Sequence, residues 1–567
     1  MSNSGSNIPA QFRPRIAPDR FVSGITSSPD DRVEVGVLFV GAGPASLAGA
    51  IRLAQLLENE PELMESLGEM PIAIIEKGKY PGAHLLSGAV VNPIALRKLF
   101  PGIPKFDFPF YDQVTKEGVY FLTEKSSLRL PTPPTMNNHG NYVASISKVA
   151  KWLAEKAEEK GVMIFNEMSG MKVLVEDGAV KGVRTDDKGL DRDGNPLENY
   201  QPGSDVLAKV TVFGEGTTGH LTQAALNHFQ IGSPNPQVYA LGVKEIWEVP
   251  KPLDRVIHTM GWPLRGGKEY REFGGSFIYP MGQDKVSIGL VVGLDYADAS
   301  LSVHDLLQEL KNHPLVKEIL DGGKRTDSGW GAKTIPEGGF YAIPDRLDVP
   351  GGMFIGDCAG FVNVPALKGI HYAMWSGILA AETIFKVLKE KRDPSARNSL
   401  AGYDRAVRDS FICKDLYSVR NMRQAFQHGF VPGFILAGLM TVTKGLFPGW
   451  KFGSHHDSEQ PLFLGKKTYT KPDNRYTFDK LSSVYASGNR SRDNQPNHII
   501  YEPEVSEVVG EAWINMCPAQ VYEWHEENGH KVIRTDPTNC VQCGAINAKG
   551  LRLTPPEGGS GPEYTET

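Results

Sequence analysis

Residues 35–57 constrain this chain more than any other stretch. Val35–Val40 is mostly apolar and gives way to Gly41-Ala42-Gly43-Pro44-Ala45-Ser46, then to a helix-forming run ending at Leu57. An unbroken apolar strand belongs inside a parallel sheet with both faces covered. Pro44 suits the first turn of a helix, where its missing N–H costs nothing. Gly41 permits the tight turn, and Gly43 lets the backbone approach a pyrophosphate seated on the free N–H groups of the helix. Ser46 stands where a third glycine is usual and is still small enough for close helix–strand packing. Pro71–Glu76 reads as the next strand, and Glu76 at its end is placed to accept hydrogen bonds from a ribose. Glu76 lies further from Gly41 than the usual spacing of about 20 residues; the long helix and the loop over 55–70 absorb the difference. Together these segments predict an α/β dinucleotide-binding fold.

Residues 208–213 and 353–356 read as further strands of the same sheet. The second ends at Gly356-Asp357, where an acid is placed to hold the ribityl chain of a flavin. Lys368-Gly369 precedes a helical run over His371–Leu388, whose N-terminus would stabilise negative charge on a reduced flavin ring. Taken alone, a Gly-Asp pair after a strand is more often just a turn. A second GxGxxG, Gly214-Glu-Gly-Thr-Thr-Gly219, is not followed by a βαβ unit with a ribose-binding acid, so it reads as another strand end of the first sheet. Phe277–Val292 reads as a hairpin turning at Gly282-Gln-Asp, and Val303–Leu320 as one amphipathic helix. These define a second, β-rich unit.

The chain has five cysteines among its 567 residues, and three of them, Cys517, Cys540 and Cys543, fall near the C-terminus. A CxxC pair with a third cysteine upstream is a soft-metal arrangement suited to an iron–sulfur cluster or zinc. Cys358 and Cys413 read as packing residues. So few cysteines, unpaired in pattern, suit a reducing compartment. The formal charge of −6, with no basic stripe, argues against nucleic acid as a partner. Residues 1–32 are polar and proline-rich and read as a loose tail without the apolar core of a signal peptide. Gly429–Thr443 is uncharged, carries Pro432 as a break, and leads into a basic and aromatic stretch ending at Trp450. It is shorter than the roughly 18 residues of a membrane-spanning candidate. It suits a segment lying in a membrane interface or a buried core helix.

Several longer motifs add a resemblance. GAGPASLAGAIRL (41–53), GAHLLSGAVVNP (82–93), FGGSFIYP (273–280), SIGLVVGLDY (287–296), GFVNVPALKGIHYAMWSGILAAE (360–382), TFDKLSSVYASG (477–488) and PPEGGSGPEY (555–564) make the chain similar to the electron-transfer flavoprotein–ubiquinone oxidoreductase (electron-transfer-flavoprotein dehydrogenase) family. The resemblance runs from about residue 33 to the end. It implies an FAD-binding domain of the glutathione-reductase type, an inserted β-rich quinone-binding domain and a C-terminal ferredoxin-like iron–sulfur domain. It also implies a monotopic membrane surface, and electrons arriving from reduced electron-transfer flavoprotein and leaving to ubiquinone. Ser87 and Gly88 join the cofactor-binding residues, and the quinone-contacting glycine pair falls on Gly274 and Gly275. Phe273 stands where the family commonly has Tyr. The membrane-facing segments fall on 82–103 and 429–450.

The cluster motif departs from the family: Ile546 occupies the position of the third cysteine in CxxCxxC. Three readings follow. Cys517, Cys540 and Cys543 hold a [3Fe–4S] or [4Fe–4S] centre with water or another residue as fourth ligand; they hold zinc with His525 or His530; or the site is empty and structural.

The expected organisation is a tail over 1–32, an FAD-binding domain from 33–105, 140–240 and 340–450, a quinone-binding domain from 106–139 and 241–339, and an iron–sulfur domain over 451–567. The expected activity is quinone reduction by electron-transfer flavoprotein at the cytoplasmic face of a bacterial inner membrane, in preference to a mitochondrial one. Two rival readings are a reductase or hydroxylase fed by NAD(P)H through the Gly214–Gly219 turn, and a non-enzymatic module that docks redox partners.

Overall fold

A computed structural model describes residues 5–104 and 107–567. The boundary drawn between residues 105 and 106, and residues 1–4 of the N-terminal segment, lie outside the described residues.

The nucleotide-type reading of residues 33–76 holds. Arg32–Val40 is a strand, and the helix runs over Pro44–Leu57. That strand is central in a nine-stranded sheet, with parallel neighbours Ile72–Ile75 on one side and Asp205–Phe213 on the other. Met163–Phe165 and Gly352–Phe354 extend the parallel part. Strands this apolar need both faces covered. Helices Pro44–Leu57, Ile146–Glu158 and Ile370–Lys389 share the core that covers them. The first and last of these cross with almost no space between backbones: a Cβ built on Gly377 would stand 2.0 Å from the carbonyl oxygen of Ala45.

A second sheet has seven strands in the order Lys324–Pro336, Tyr239–Glu248, Lys285–Gly293, Gly274–Pro280, Val256–Gly261, Glu117–Leu122 and Ser127–Leu130. The expected hairpin is the pair Gly274–Pro280 and Lys285–Gly293. The single helix expected over Val303–Leu320 is two, Val303–Lys311 and Pro314–Leu320. Pro314 has no N–H to continue the ladder and pushes His313 out of helical geometry. His313 instead caps the second helix by accepting the N–H of Leu315 at 3.2 Å. The C-terminal part contains a helix over Glu507–Met516, a hairpin of Tyr522–Glu527 with His530–Thr535, and the cysteine loop.

The N-terminal segment is not loose. Phe12 is buried, Val22–Ser23 pairs in parallel with Val173–Leu174, and the N–H groups of Thr26 and Ser27 donate to Asp205. Its polar composition hides an extended chain whose backbone groups find acceptors on the folded body.

Candidate functional site

The turn after Arg32–Val40 opens into a cavity of about 1090 Å³. Gly41, with φ +89°, lies so close to the end of the neighbouring strand that a Cβ would stand 3.0 Å from the carbonyl oxygen of Gly214. Gly43, Pro44 and Ala45 line the same cavity; Ser46 is fully buried behind it, against Gly214. Glu76 faces back across the turn, its carboxylate accepting the N–H of Ala42 at 2.7 Å and of Gly78 at 2.7 Å. The Gly214–Gly219 turn ends the strand beside Gly41, and Glu215 caps the helix that follows through the N–H groups of Leu221 and Thr222. It is part of this one site, which removes the geometric ground for a separate nicotinamide fold.

The far wall comes from Gly356-Asp357 and from Lys368-Gly369, which starts helix Ile370–Lys389. Burial raises the Asp357 carboxyl to about 6, against the pull of Lys333, and lowers Lys368 to about 8. Ser87 and Gly88 line the same cavity. The Ser87 carbonyl accepts Lys244 Nζ at 2.9 Å, and the Gly88 carbonyl accepts Ser287 Oγ at 3.1 Å. Lys244 is buried in the second sheet and had no signal in the sequence; burial lowers it to about 7.

Phe273, Gly274 and Gly275 line the cavity from the second sheet. Side chains do not fit at the two glycines: a Cβ on Gly274 would lie 2.0 Å from Val291 O and one on Gly275 2.4 Å from Thr259 O. From Phe273 an aromatic series leads outward, with ring centres 5.0 Å apart to Phe426, 6.3 Å on to Phe430 and 6.2 Å on to Phe434. It ends on helix Phe430–Val442, an apolar helix in the open: Val431 is 66% exposed, Ile435 58% and Val442 83%. Of the two readings of this segment, the buried core helix fails. Pro432 does not break the helix, because it sits in the first turn. Of residues 82–103, the first part lines the cavity, and helix Ile94–Leu99 leaves Ile94, Arg97 and Lys98 exposed. No helix among the described residues is long and apolar enough to cross a membrane.

The cysteine loop forms another wall. Gln542, between Cys540 and Cys543, lines the cavity. Its carbonyl accepts Lys333 Nζ at 3.2 Å, and its side chain accepts Lys77 Nζ. The Cys543 carbonyl takes both the N–H and the hydroxyl of Thr334. Cys517 and Cys540 are buried in one apolar cluster with Ile546, and Cys543 packs against it. Burial, and then the neighbouring Cys517, push the Cys543 thiol up to about 12. Three thiols here ionise only around a positive centre, which fits an iron–sulfur cluster. The fourth corner does not fit, since Ile546 has no donor atom. His525 and His530, the histidines considered for a zinc site, are exposed on the hairpin, whereas Cys517 and Cys540 are buried.

A nucleotide-binding parallel sheet, a second sheet closing over the same cavity and a cysteine loop on its wall define a flavoprotein oxidoreductase with an iron–sulfur centre. The fold agrees with solved structures of a geranylgeranyl bacteriochlorophyll reductase-like protein from Thermoplasma acidophilum (TM-score 0.53, 19% identity, 76% of this chain and 93% of that one) and of the flavin-dependent brominase Bmp2 (TM-score 0.50, 17% identity, 73% and 94%). Residues 239–335 match the family described as ETF-QO, ubiquinone-binding, and residues 474–565 that described as electron transfer flavoprotein-ubiquinone oxidoreductase, 4Fe-4S. The mitochondrial electron transfer flavoprotein-ubiquinone oxidoreductase of Dictyostelium discoideum is 40% identical, covering 94% of this chain and 91% of its own length, and that of Homo sapiens is 37% identical, covering 94% and 89%. The chain belongs to the electron transfer flavoprotein-ubiquinone oxidoreductase family.

Proposed function

We propose that this chain is an electron-transfer-flavoprotein dehydrogenase, passing electrons from reduced electron-transfer flavoprotein through FAD and an iron–sulfur centre to ubiquinone at a membrane surface. The observation that carries the reading is the single cavity that runs from the Gly41 turn, past the cysteine loop and Gly274–Gly275, to an exposed apolar helix. FAD supplies chemistry that accepts electrons singly and gives them up in pairs.

The chain's own residues bind and orient. Gly41, Gly43 and the helix N-terminus at Pro44 receive a pyrophosphate. Glu76, fixed by two N–H groups, faces the ribose; Asp357 and the helix start at Gly369 face the ribityl chain and ring, beside Ser87 and Gly88. Gly274 and Gly275 leave bare backbone where a quinone head group docks, and Phe426, Phe430 and Phe434 take its apolar tail. Cys517, Cys540 and Cys543 hold three corners of the cluster. Helix Phe430–Val442 and Leu446–Trp450 dip into the lipid interface. The proposed domain division is the one drawn from the sequence, with Val22–Ser23 joined to the first sheet, and the cytoplasmic face of a bacterial inner membrane is the proposed address.

The test is a purified-component assay. Electron-transfer flavoprotein reduced in advance should be reoxidised only when both this protein and a short-chain ubiquinone are present, and NADH or NADPH should leave the bound flavin oxidised. Flavin bleaching by NAD(P)H without electron-transfer flavoprotein would overturn the reading in favour of a pyridine-nucleotide reductase. Electron-transfer flavoprotein binding without quinone turnover would overturn it in favour of a docking module.

A further inference from the structure

A quinone that receives two electrons must also take up two protons. Six carboxyl groups line the cavity among the described residues: Glu76, Glu124, Glu215, Glu272, Glu337 and Asp357. Five have other engagements. Glu76 and Glu215 accept backbone N–H groups. Glu272 takes both the backbone N–H and the guanidinium of Arg265. Glu124 is exposed at the surface, and Asp357 sits at the flavin end, facing Lys333.

Arg265 is shared in turn with Asp298, but unlike Glu76, Glu215 and Glu272, Glu337 accepts no backbone N–H among the described residues. It follows the Lys324–Pro336 strand, is 5% exposed, and accepts Arg423 Nε at 2.8 Å. The same guanidinium donates Nη2 to Asp295 at 2.7 Å and lies 4.2 Å from the ring centre of Phe273, the residue before the glycine pair. One buried cation thus serves two buried carboxyl groups, and two carboxylates around one charge do not both ionise freely. Asp295 also has Arg271 at 3.7 Å, and Lys549 and Asp457 face it from the C-terminal part. Of the two carboxyl groups on Arg423, Asp295 has a second cation and Glu337 has none among the described residues, and Glu337 is the one that lines the cavity; Asp457, beyond Asp295, is pushed well up by burial and by Asp295 but stands outside the cavity lining.

We propose that Glu337 is the acid that protonates the quinone during its reduction, an inference that rests on the quinone site assigned above. The carboxyl O–H bond of Glu337 breaks and an O–H bond forms on a quinone oxygen. The electron pair of the broken bond stays on the carboxylate, whose charge Arg423 then balances. The two electrons come from reduced electron-transfer flavoprotein by way of the protein's redox groups. Solvent water restores the Glu337 proton and supplies the second one, so that quinone, two electrons and two protons give quinol. The electrostatics agree in direction: burial raises the Glu337 carboxyl, Arg423 opposes this, and Asp295 adds to it. For Asp295 burial acts the same way, but Arg423 and Arg271 prevail and hold it low.

The test compares two acceptors on FAD-loaded protein: a short-chain ubiquinone, and ferricyanide, which takes electrons without protons. Glu337→Gln should lower quinone turnover by about tenfold or more while ferricyanide reduction stays within about twofold. Wild-type quinone turnover should fall as pH rises, Glu337→Gln should lose that fall, and Glu337→Asp should restore part of the rate. Unchanged quinone turnover and an unchanged pH profile in Glu337→Gln would overturn the proposal. Gly438→Trp separates the two inferences, because Gly438 lines the cavity mouth and has open space beside it. Quinone reduction blocked by Gly438→Trp but untouched by Glu337→Gln removes only the acid; quinone reduction untouched by both removes the quinone site itself. Should Glu337→Gln not retain FAD, the pH profile of Glu337→Asp decides: one displaced from wild type supports the role, and an identical one overturns it.

Discussion

At Gly377 a single hydrogen atom decides whether two helices can cross. A methyl group there would stand 2.0 Å from Ala45 O, and relieving the overlap moves the helix that receives the pyrophosphate. Gly377→Ala is expected to cost about 1–3 kcal/mol and to lower FAD retention, read by thermal unfolding and the flavin-to-protein absorbance ratio. Ile546 makes a second prediction. Held by Cys517, Cys540 and Cys543 alone, a four-iron centre would have one iron without a cysteine ligand and open to loss on oxidation; Ile546→Cys should keep it. Iron analysis and the oxidised-state EPR signal of a three-iron centre, before and after ferricyanide, check this, and equal loss from both proteins would refute it. The buried histidines set acid stability. Burial holds His220, His258, His371 and His498 each down to about 3. Below the unfolded value of about 6.5 the unfolded chain therefore binds protons that the folded chain does not, and stability falls with pH by on the order of 1 kcal/mol per unit for each histidine. Denaturant titrations between pH 7 and 5 should show the slope, and His498→Leu should reduce it.

Among the elements, helix Phe430–Val442 has its apolar side chains in the open. Replacing Ile435 and Leu439 by Asp removes two side chains each worth about 1.5–3 kcal/mol on burial. Co-sedimentation with liposomes should then weaken by about a hundredfold or more, with ferricyanide reduction retained. The elements that carry short-range rules were legible: the Val35–Leu57 strand, turn and helix, the hairpin at Gly282, and the helix after Gly369. What misled was context. Pro314 ended one amphipathic pattern and began another in the same register of apolar residues. Apolar composition could not separate an exposed interfacial helix from a buried one, because the two differ only in what covers them. The docked N-terminal segment has no periodic pattern, since its anchors are backbone groups.

Across the whole molecule, the C-terminus ties the two sheets together. Tyr564 is 1% exposed and accepts the N–H of Ala332 in the second sheet, while Glu566 pairs with Lys148 beside the first sheet and Lys285 in the second. Ending the chain after Pro562 should cost about 2 kcal/mol or more from Tyr564 alone and lower the Tm. The candidate site was legible where one segment carries it: every cofactor-binding and quinone-site residue named from the sequence lines one cavity except Ser46, which sits behind it. The parts built from distant segments, such as Lys244 against Ser87 or Arg423 between Glu337 and Asp295, left no mark in any local pattern. The cysteine loop is such a junction, pinned by Lys77 from one sheet and by Lys333 and Thr334 from the other. With the loop tied to both sheets, electrons passing between a flavin in the cavity and a centre on Cys517, Cys540 and Cys543 would wait for no domain to swing. Glycerol that thickens the solvent should slow partner docking and quinone entry yet leave this internal exchange at its rate in water.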